Sequence, residues 1–343
     1  MLTFSLFACN SIITQTEESS DSNQKVENTT EKLDSLTDEN STDKQSGETV
    51  TEKTEVLTEE IEDTTVKIEV TTEEIKDNRE KIDLFLFIGQ SNMAGRGNSS
   101  EAVKVSKGHA YEYRAISKPG RLFRLSEPFG STENNAASGV SEAIKTGSLV
   151  SAFCESYYNE TEVPIVAVSC SKGGTAISFW DTDGAPYQDA VERMKSAINF
   201  MESQSGMKIR HTYVVWLQGE SDGDIATPAN DYVAALTRIF DGFEQEFGAE
   251  HFFIIPIGAY NGNDDARNAN YTAIRNAQID FCNKRNNATV VSIVLHDLLD
   301  AGFMKDEFHF TQAGYNIVGS DAGKNTAYFV NTGTEAKCQN YVK

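Results

Sequence analysis

The stretch Ile82-Asp83-Leu84-Phe85-Leu86-Phe87-Ile88-Gly89-Gln90-Ser91 passes from a mainly apolar run into a glycine and then a serine. A short apolar run without polar alternation is typical of a strand that is covered on both faces, as in a parallel sheet. Ligands of open α/β sheets bind beyond the carboxyl ends of the strands. The stretch therefore predicts a parallel strand that carries Ser91 to the edge where a site would form.

Four further apolar runs resemble the first one, and helix-like segments lie between them. The runs are residues 164–168, 213–217, 252–257 and 290–295. The clearest helix-like segment, residues 231–247, carries apolar side chains along one stripe and is followed by Gly248, a common helix stop. The alternation of strands and helices predicts one doubly wound α/β domain over residues 82–335, built on five parallel strands.

Two segments of this domain region lack a clear period. Residues 96–146 are rich in Gly, Ser and Asn, and we expect them to form a long excursion that shapes a substrate site. Residues 336–343 follow the last helix-like segment, and we expect them to form a C-terminal tail.

The acidic charge of the chain is concentrated near its N-terminus. Of the net charge of −22 over 343 residues, residues 1–80 carry −14, from 21 acidic and 7 basic side chains. Binding of nucleic acid or of an anionic membrane needs clustered Lys and Arg, so the sequence argues against both. Residues 14–81 predict a disordered acidic spacer, although a weak seven-residue repeat of isoleucines leaves a coiled coil as the alternative.

Residues 1–13 contain an apolar stub that ends in Leu6-Phe7-Ala8-Cys9. The stub resembles the end of a bacterial lipoprotein signal, in which Cys9 would carry the lipid, but it lacks a basic start and is short for a signal peptide. With the spacer, it predicts a bacterial protein that is secreted or tethered to the cell surface. The alternative is a disordered tail on a cytoplasmic protein.

The other four cysteines show no metal-ligand spacing. They are Cys154, Cys170, Cys282 and Cys338. Because Cys154 and Cys282 lie in helix-like patterns and Cys170 ends a predicted strand, we expect buried thiols, and the sequence leaves open whether an exported protein would pair some of the four cysteines.

Small and polar motifs follow three of the predicted strands, and a fourth precedes the last helix-like segment. The motifs are Gly89-Gln90-Ser91-Asn92, Lys172-Gly173-Gly174-Thr175, Gln218-Gly219-Glu220-Ser221-Asp222 and Asp306-Glu307-Phe308-His309. Because parallel strands end at one edge of a sheet, we expect these motifs to lie close together.

The residue types at this edge fit acyl transfer. A serine hydroxyl such as that of Ser91 becomes a good nucleophile when a histidine, here His309, accepts its proton. An acidic neighbour such as Asp306 would hold the imidazole in the required tautomer. The tetrahedral oxyanion needs fixed donors, and the candidates are the N–H of Ser91, the N–H of Gly173 or Gly174, and the side-chain amide of Gln218.

Taken together, these motifs resemble the SGNH hydrolases, and more narrowly the sialate O-acetylesterase and carbohydrate esterase family 6 branch, which includes acetyl xylan esterases. The resemblance covers about residues 82–332. It implies a flavodoxin-like three-layer αβα domain and removal of acetyl groups from sugars, with no metal and no other cofactor. It also implies Ser91 as nucleophile and His309 as base, with Gln218 in the place where the broader superfamily has an asparagine donor.

The resemblance leaves the acid open, because Glu220 of the Gln-Gly-Glu motif is a rival to Asp306. Gln90 and Asn92, which flank the serine, and Trp180, which follows the glycine turn, are expected to bind the substrate.

The sequence therefore predicts a serine esterase that deacetylates carbohydrate, with acetylated xylan or O-acetylated sialic acid as the substrate. Two alternatives are a non-catalytic carbohydrate-binding module on an esterase fold and an SGNH lipase or deacylase of longer acyl chains. The oligomeric state is not predicted.

Overall fold

A computed structural model describes residue 77 and residues 79–342 of this chain. The predicted lipoprotein stub with Cys9, almost all of the predicted spacer and the alternative coiled coil lie outside the described residues, so they stay predictions. No helix in the described part is both long and apolar enough to cross a membrane.

The centre of the domain is a seven-stranded sheet. Its strands are β1 (Lys81–Gly89), β2 (Ala110–Tyr113), β3 (Leu122–Arg124), β4 (Ile165–Ser171), β5 (Lys208–Leu217), β6 (His251–Ile254) and β7 (Ala288–Val290). They are ordered β3-β2-β4-β1-β5-β6-β7. All neighbours are parallel except β2 and β3, which pair antiparallel. The predicted parallel α/β sheet is confirmed, with β1 at its centre.

The predicted count of five strands is wrong. The sequence missed β2 and β3, which have four and three residues and lie within the predicted excursion. Strands this short at a sheet edge carry too few side chains to show a period. The last predicted strand, residues 290–295, is also displaced, since β7 ends at Val290 and a short helix begins at Val294.

In the described part of the chain, eight α-helices connect and cover the strands. They are α1 (Ser91–Ala94), α2 (Val150–Thr161), α3 (Ala185–Ser203), α4 (Glu220–Asp224), α5 (Ala229–Phe247), α6 (Asp265–Cys282), α7 (Val294–Asp297) and α8 (Gln312–Thr332). Helix α5 ends at Gly248 in the left-handed conformation, as predicted.

Side chains alternate between the two faces of β1 and so define two cores. Leu84, Leu86 and Ile88 join the core beneath α3, α5 and α6. Phe85 and Phe87 join the core beneath α2 and α8. Helices therefore cover both faces of the sheet, which confirms the three-layer αβα architecture and explains why β1 is almost continuously apolar.

The four cysteines of the described part are free thiols, of which Cys154, Cys170 and Cys282 are buried and Cys338 is half-buried. Buried thiols agree with the sequence prediction.

Candidate active site

Ser91 lies on a tight turn from β1 into α1. Gly89 has φ +150°, and a Cβ at this position would stand 1.9 Å from the carbonyl oxygen of Leu217, so only glycine fits. The Gln90 N–H donates to that same carbonyl at 3.0 Å, and α1 then starts at Ser91. The end of the central strand thereby holds the serine at the carboxyl edge of the sheet, where only 6% of its surface is exposed.

His309 lies between Ser91 and Asp306. Its Nε2 is 3.0 Å from the Ser91 Oγ, and its Nδ1 is 3.0 Å from each carboxylate oxygen of Asp306. The chain of contacts therefore runs from hydroxyl to imidazole to carboxylate, the order in which a serine nucleophile is activated.

The Asp306 carboxylate is held by the loop that also carries His309. Its Oδ1 accepts the N–H groups of Phe308 at 2.9 Å and of His309 at 2.7 Å. Burial opposes ionisation, but these bonds and the His309 side chain outweigh it and lower the pKa of Asp306. The acid is therefore kept as a carboxylate that can orient and stabilise an imidazolium.

Glu220, the rival acid, lies elsewhere. Its Oε1 accepts a hydrogen bond from the Asn92 Nδ2 at 2.6 Å, and the hydrogen bonds of the His309 ring within the described part go to Asp306 and Ser91 instead. Burial raises the pKa of Glu220 to about 7. The structure thus brings Asp306, and not Glu220, to the imidazole.

Asn92 lies beneath the nucleophile, which contradicts its predicted role in substrate binding. Only 1% of it is exposed. Besides Glu220, its Nδ2 donates to the Phe308 carbonyl at 3.1 Å, and its Oδ1 accepts the Tyr315 hydroxyl at 2.7 Å. Asn92 therefore ties the serine helix to the loop that carries the histidine.

The Gln218 side chain is buried, and its amide is not free for the oxyanion role that the sequence predicted. Its Nε2 donates to the Thr175 carbonyl at 2.9 Å and to the Asp222 carboxylate at 2.6 Å. These two bonds use both amide hydrogens. Asp222 also accepts the Ile177 N–H at 2.9 Å, so Gln218 belongs to a structural network under the Gly173-Gly174-Thr175 turn.

Gln90 offers the donor that Gln218 lacks. Its Oε1 accepts the N–H groups of Gly219 at 3.2 Å and of Ser221 at 3.3 Å, which fixes the amide plane. The Gln218 Nε2 also lies 3.4 Å from this oxygen, and the Gln90 Nε2 donates to no acceptor within residues 79–342. The sequence predicted Gln90 as a substrate-binding residue. Its position directly before the nucleophile was the sequence signal that could have identified it as a donor beside Ser91.

The glycine turn after β4 reaches the nucleophile. A Cβ on Gly173 would stand 3.2 Å from the Ser91 Cβ. The Gly173 N–H, however, donates to the Glu142 Oε2 at 2.5 Å. Gly174 has φ +70° and is exposed, and its N–H has no acceptor in the described part of the chain. Of the two glycines that the sequence offered as donors, Gly174 is the one whose N–H is unused.

Trp180 is buried, so the prediction that it lines the substrate site is wrong. None of its surface is exposed, its Nε1 donates to the Thr175 hydroxyl at 3.2 Å, and its ring packs edge-on against Trp216. A tryptophan after a glycine turn fits a core position as well as a pocket wall, and the sequence could not separate the two.

Other features of the described part do not compete with this constellation. A groove of about 610 Å³ between α5 and α6 is lined by residues such as Val233, Phe281 and Lys284, and none of the motif residues borders it. No cluster of three or more His, Cys, Asp or Glu side chains within residues 79–342 could hold a metal ion. The chemistry of Ser91, His309 and Asp306 therefore locates the candidate site.

Comparison with known proteins gives a consistent result. A family model described as SASA, carbohydrate esterase, sialic acid-specific acetylesterase, matches residues 81–327. A probable carbohydrate esterase of Arabidopsis thaliana is 27% identical over 192 residues, which cover 52% of this chain and 69% of the plant protein. An X-ray structure of an Arabidopsis thaliana protein superposes with a TM-score of 0.54 at 20% identity, over 74% of this chain and 99% of that chain, and so shares the fold.

Proposed function

This chain belongs to the carbohydrate esterase family of sialic acid-specific acetylesterases, and from that premise we propose that it removes O-acetyl groups from carbohydrate through an acetyl-enzyme on Ser91. Family membership supports a carbohydrate O-acetylesterase. The observation that carries the mechanism is the pair of 3.0 Å contacts that His309 makes, one to the Ser91 hydroxyl and one to the Asp306 carboxylate.

In the first half of the reaction, the Ser91 Oγ attacks the acetyl carbonyl carbon and His309 takes the hydroxyl proton at Nε2. Asp306 stabilises the imidazolium through Nδ1. The tetrahedral intermediate collapses, the carbon–oxygen bond to the sugar breaks, and His309 returns the proton to the sugar oxygen. The acetyl group is then an ester of Ser91.

In the second half, His309 takes a proton from a water molecule as that water attacks the acetyl-enzyme. The second tetrahedral intermediate breaks its bond to the Ser91 Oγ, which takes the proton back from His309. Acetate leaves, and the enzyme is restored without an external cofactor.

Fixed donors must stabilise the oxyanion in both halves. We assign this role to the N–H of Ser91, the N–H of Gly174 and the Nε2 of Gln90, because none of the three donates to an acceptor in the described residues. Gln218 is not included, since its amide hydrogens are used by Thr175 and Asp222.

Ser91→Ala tests this function, with Ser203→Ala, at the end of α3, as the matched control. Wild type and the control should release acetate from p-nitrophenyl acetate, and Ser91→Ala should fall to background. Hydrolysis by Ser91→Ala at the wild-type rate would contradict the proposal. Binding of glycan with no acetate release by the wild type would instead favour the non-catalytic module.

The substrate is proposed to be acetylated xylan or O-acetylated sialic acid. Measuring acetate release from each of the two glycans distinguishes them. Acetate release from both glycans, compared with hydrolysis of an octanoyl ester, would also separate an acetylesterase from a longer-chain deacylase. Preference for the octanoyl ester would contradict the carbohydrate substrate.

We also propose that the enzyme is exported and tethered through Cys9, with residues 14–81 as spacer. The support is the apolar stub before Cys9 and the acidic composition after it. Bacterial cells that express the chain should attach labelled fatty acid to wild type and not to Cys9→Ser. Equal labelling of the two proteins, or none of either, would contradict the anchor.

A further inference from the structure

A buried ion pair lies beside the nucleophile, and the sequence motifs gave no sign of it. The Arg96 Nη2 is 3.2 Å from the Glu142 Oε2, and the two side chains are only 10% and 8% exposed. A Cβ on Gly173 would stand 2.4 Å from that Arg96 nitrogen and 3.2 Å from the Ser91 Cβ. The pair therefore borders the space where the acetyl group must react.

The Arg96 side chain connects the serine segment to the excursion, and its main chain contacts the loop that carries His309. Its Nη1 donates to the carbonyls of Gly95, just after the serine helix, and of Ile144 in the excursion. Its own carbonyl accepts the Lys305 ammonium, and the Lys305 N–H donates to the His309 carbonyl at 3.0 Å. The Arg96 side chain thus joins the serine segment to the excursion, and its main chain is hydrogen-bonded to the histidine loop.

Glu142 holds the third segment, the glycine turn. Its Oε2 accepts the Gly173 N–H at 2.5 Å and its Oε1 accepts the Ile144 N–H at 2.7 Å. Burial opposes ionisation of this carboxyl, but the two N–H groups and the Arg96 charge outweigh it and lower the pKa of Glu142. A carboxylate so placed fixes the turn that presents the neighbouring Gly174 N–H.

The charge of Glu142 raises a problem for catalysis that Arg96 solves. A negative charge near a developing oxyanion opposes its formation, and a buried site screens that repulsion poorly. The Arg96 guanidinium, 3.2 Å away, cancels the charge. Removal of the two residues should therefore affect catalysis differently. Loss of Arg96 leaves the Glu142 carboxylate without its counter-charge, whereas loss of the Glu142 charge leaves the Arg96 cation.

We propose that Arg96 and Glu142 form a positioning pair for acyl transfer, in which Glu142 fixes the Gly173 peptide beside Ser91, and Arg96 neutralises Glu142 and joins the serine segment to the excursion. This inference rests on the proposed function. It adds a role for two residues of the excursion, neither of which is hydrogen-bonded to Ser91, His309 or Asp306 within residues 79–342.

The test compares Arg96→Met, Glu142→Gln and the double variant, with kcat and KM measured on p-nitrophenyl acetate per folded molecule. We expect Arg96→Met to lower kcat by about 10- to 100-fold, less than the loss of a direct oxyanion donor, with KM nearly unchanged. Glu142→Gln should lose less, because glutamine still accepts the Gly173 N–H. The double variant should recover part of the kcat that Arg96→Met loses, because the uncompensated carboxylate is gone.

Arg210→Met is the matched control. Arg210 pairs with the fully buried Asp83 at the opposite end of β1, so this variant also leaves a buried carboxylate unpaired, but far from the site. It should lower the melting temperature and leave kcat unchanged. If Arg96→Met does not fold, Arg96→Lys replaces it in the test. Lysine keeps the charge but lacks the two-pronged guanidinium, so this variant should fold and lose less kcat than the loss expected of Arg96→Met.

The outcomes distinguish failure of the positioning pair from failure of the proposed esterase function. An active wild type with an unchanged kcat in Arg96→Met, or a double variant less active than Arg96→Met, would overturn the positioning pair alone. A wild type without Ser91-dependent hydrolysis would overturn the proposed function and the pair together.

Discussion

Two polar clusters meet at Ser91, and they differ in exposure. The first, which we call the relay, consists of Ser91, His309 and Asp306, and the side chains of its last two members are 22% and 43% exposed. The second, the buried network, consists of Asn92, Glu220 and Gln218, which are at most 4% exposed. Both clusters come from three of the four sequence motifs.

The difference indicates that one set of residues carries out the chemistry and the other holds it in place. The relay must meet a substrate and exchange protons, and its histidine and aspartate are partly exposed although Ser91 is only 6% exposed. The buried network fixes the peptide segments that carry the relay, for example through the bonds of Asn92 to Glu220 and to the Phe308 carbonyl. Buried polar groups of this kind hold one geometry because each unmade bond is costly.

The largest expected contrast is between the two acids. Asp306→Asn should lower kcat by about 10⁴-fold, since the amide no longer stabilises the imidazolium or its tautomer. Glu220→Gln should retain most of the activity, because glutamine can still accept the Asn92 hydrogen bond. Steady-state kinetics on p-nitrophenyl acetate measure both, and a larger loss in Glu220→Gln would reverse the assignment of the acid.

The next contrast is between the two glutamines. Gln90→Ala should lower kcat by ~10²–10³, the cost of one oxyanion donor, and should also lower stability, because the N–H groups of Gly219 and Ser221 lose their acceptor. Gln218→Ala should act mainly on stability, because it removes the bonds to Thr175 and Asp222 from a fully buried position. Urea unfolding together with kcat measures the two effects. Equal losses of kcat would show that both amides serve the oxyanion.

The smallest contrast is in the pH dependence of stability. Burial raises the pKa of Glu220 from 4.5 to about 7, so the folded protein binds more protons than the unfolded chain between these values. The resulting stability is fully present below about pH 4.5 and is lost as the pH rises through about 7. The loss amounts to about 3 kcal/mol for this buried group.

Glu220→Gln removes that titration. Urea unfolding of wild type and variant at several pH values should therefore show the wild type losing stability relative to Glu220→Gln as the pH increases. Parallel curves would mean that Glu220 has the same pKa in the folded protein as in the unfolded chain, and would contradict the prediction.

The sequence predicted the relay better than the buried network. Ser91 and His309 were identifiable because their chemistry requires these residue types at strand ends. The direction of a side chain is set by distant partners, so Asn92 was placed in the substrate site although Tyr315 holds it beneath the serine. Gln218 was misplaced for the same reason, because its partner Thr175 lies 43 residues away along the chain.

Two parts of the molecule gave no usable signal. The strands β2 and β3 are too short and too close to the sheet edge to show a period. The pair Arg96–Glu142 joins residues 46 positions apart within or next to the aperiodic excursion, so only the folded chain brings it to Ser91. In both cases the structure depends on tertiary contacts, which a local sequence pattern does not reveal.

The central claim is the acetyl-enzyme on Ser91, and rapid-quench mass spectrometry tests it most directly. Wild type mixed with an acetyl ester and quenched in acid should carry one acetyl group on the peptide that contains Ser91, and Ser91→Ala should carry none. Hydrolysis by the wild type with an unmodified Ser91 peptide, or an acetyl group on the same peptide of Ser91→Ala, would contradict the account.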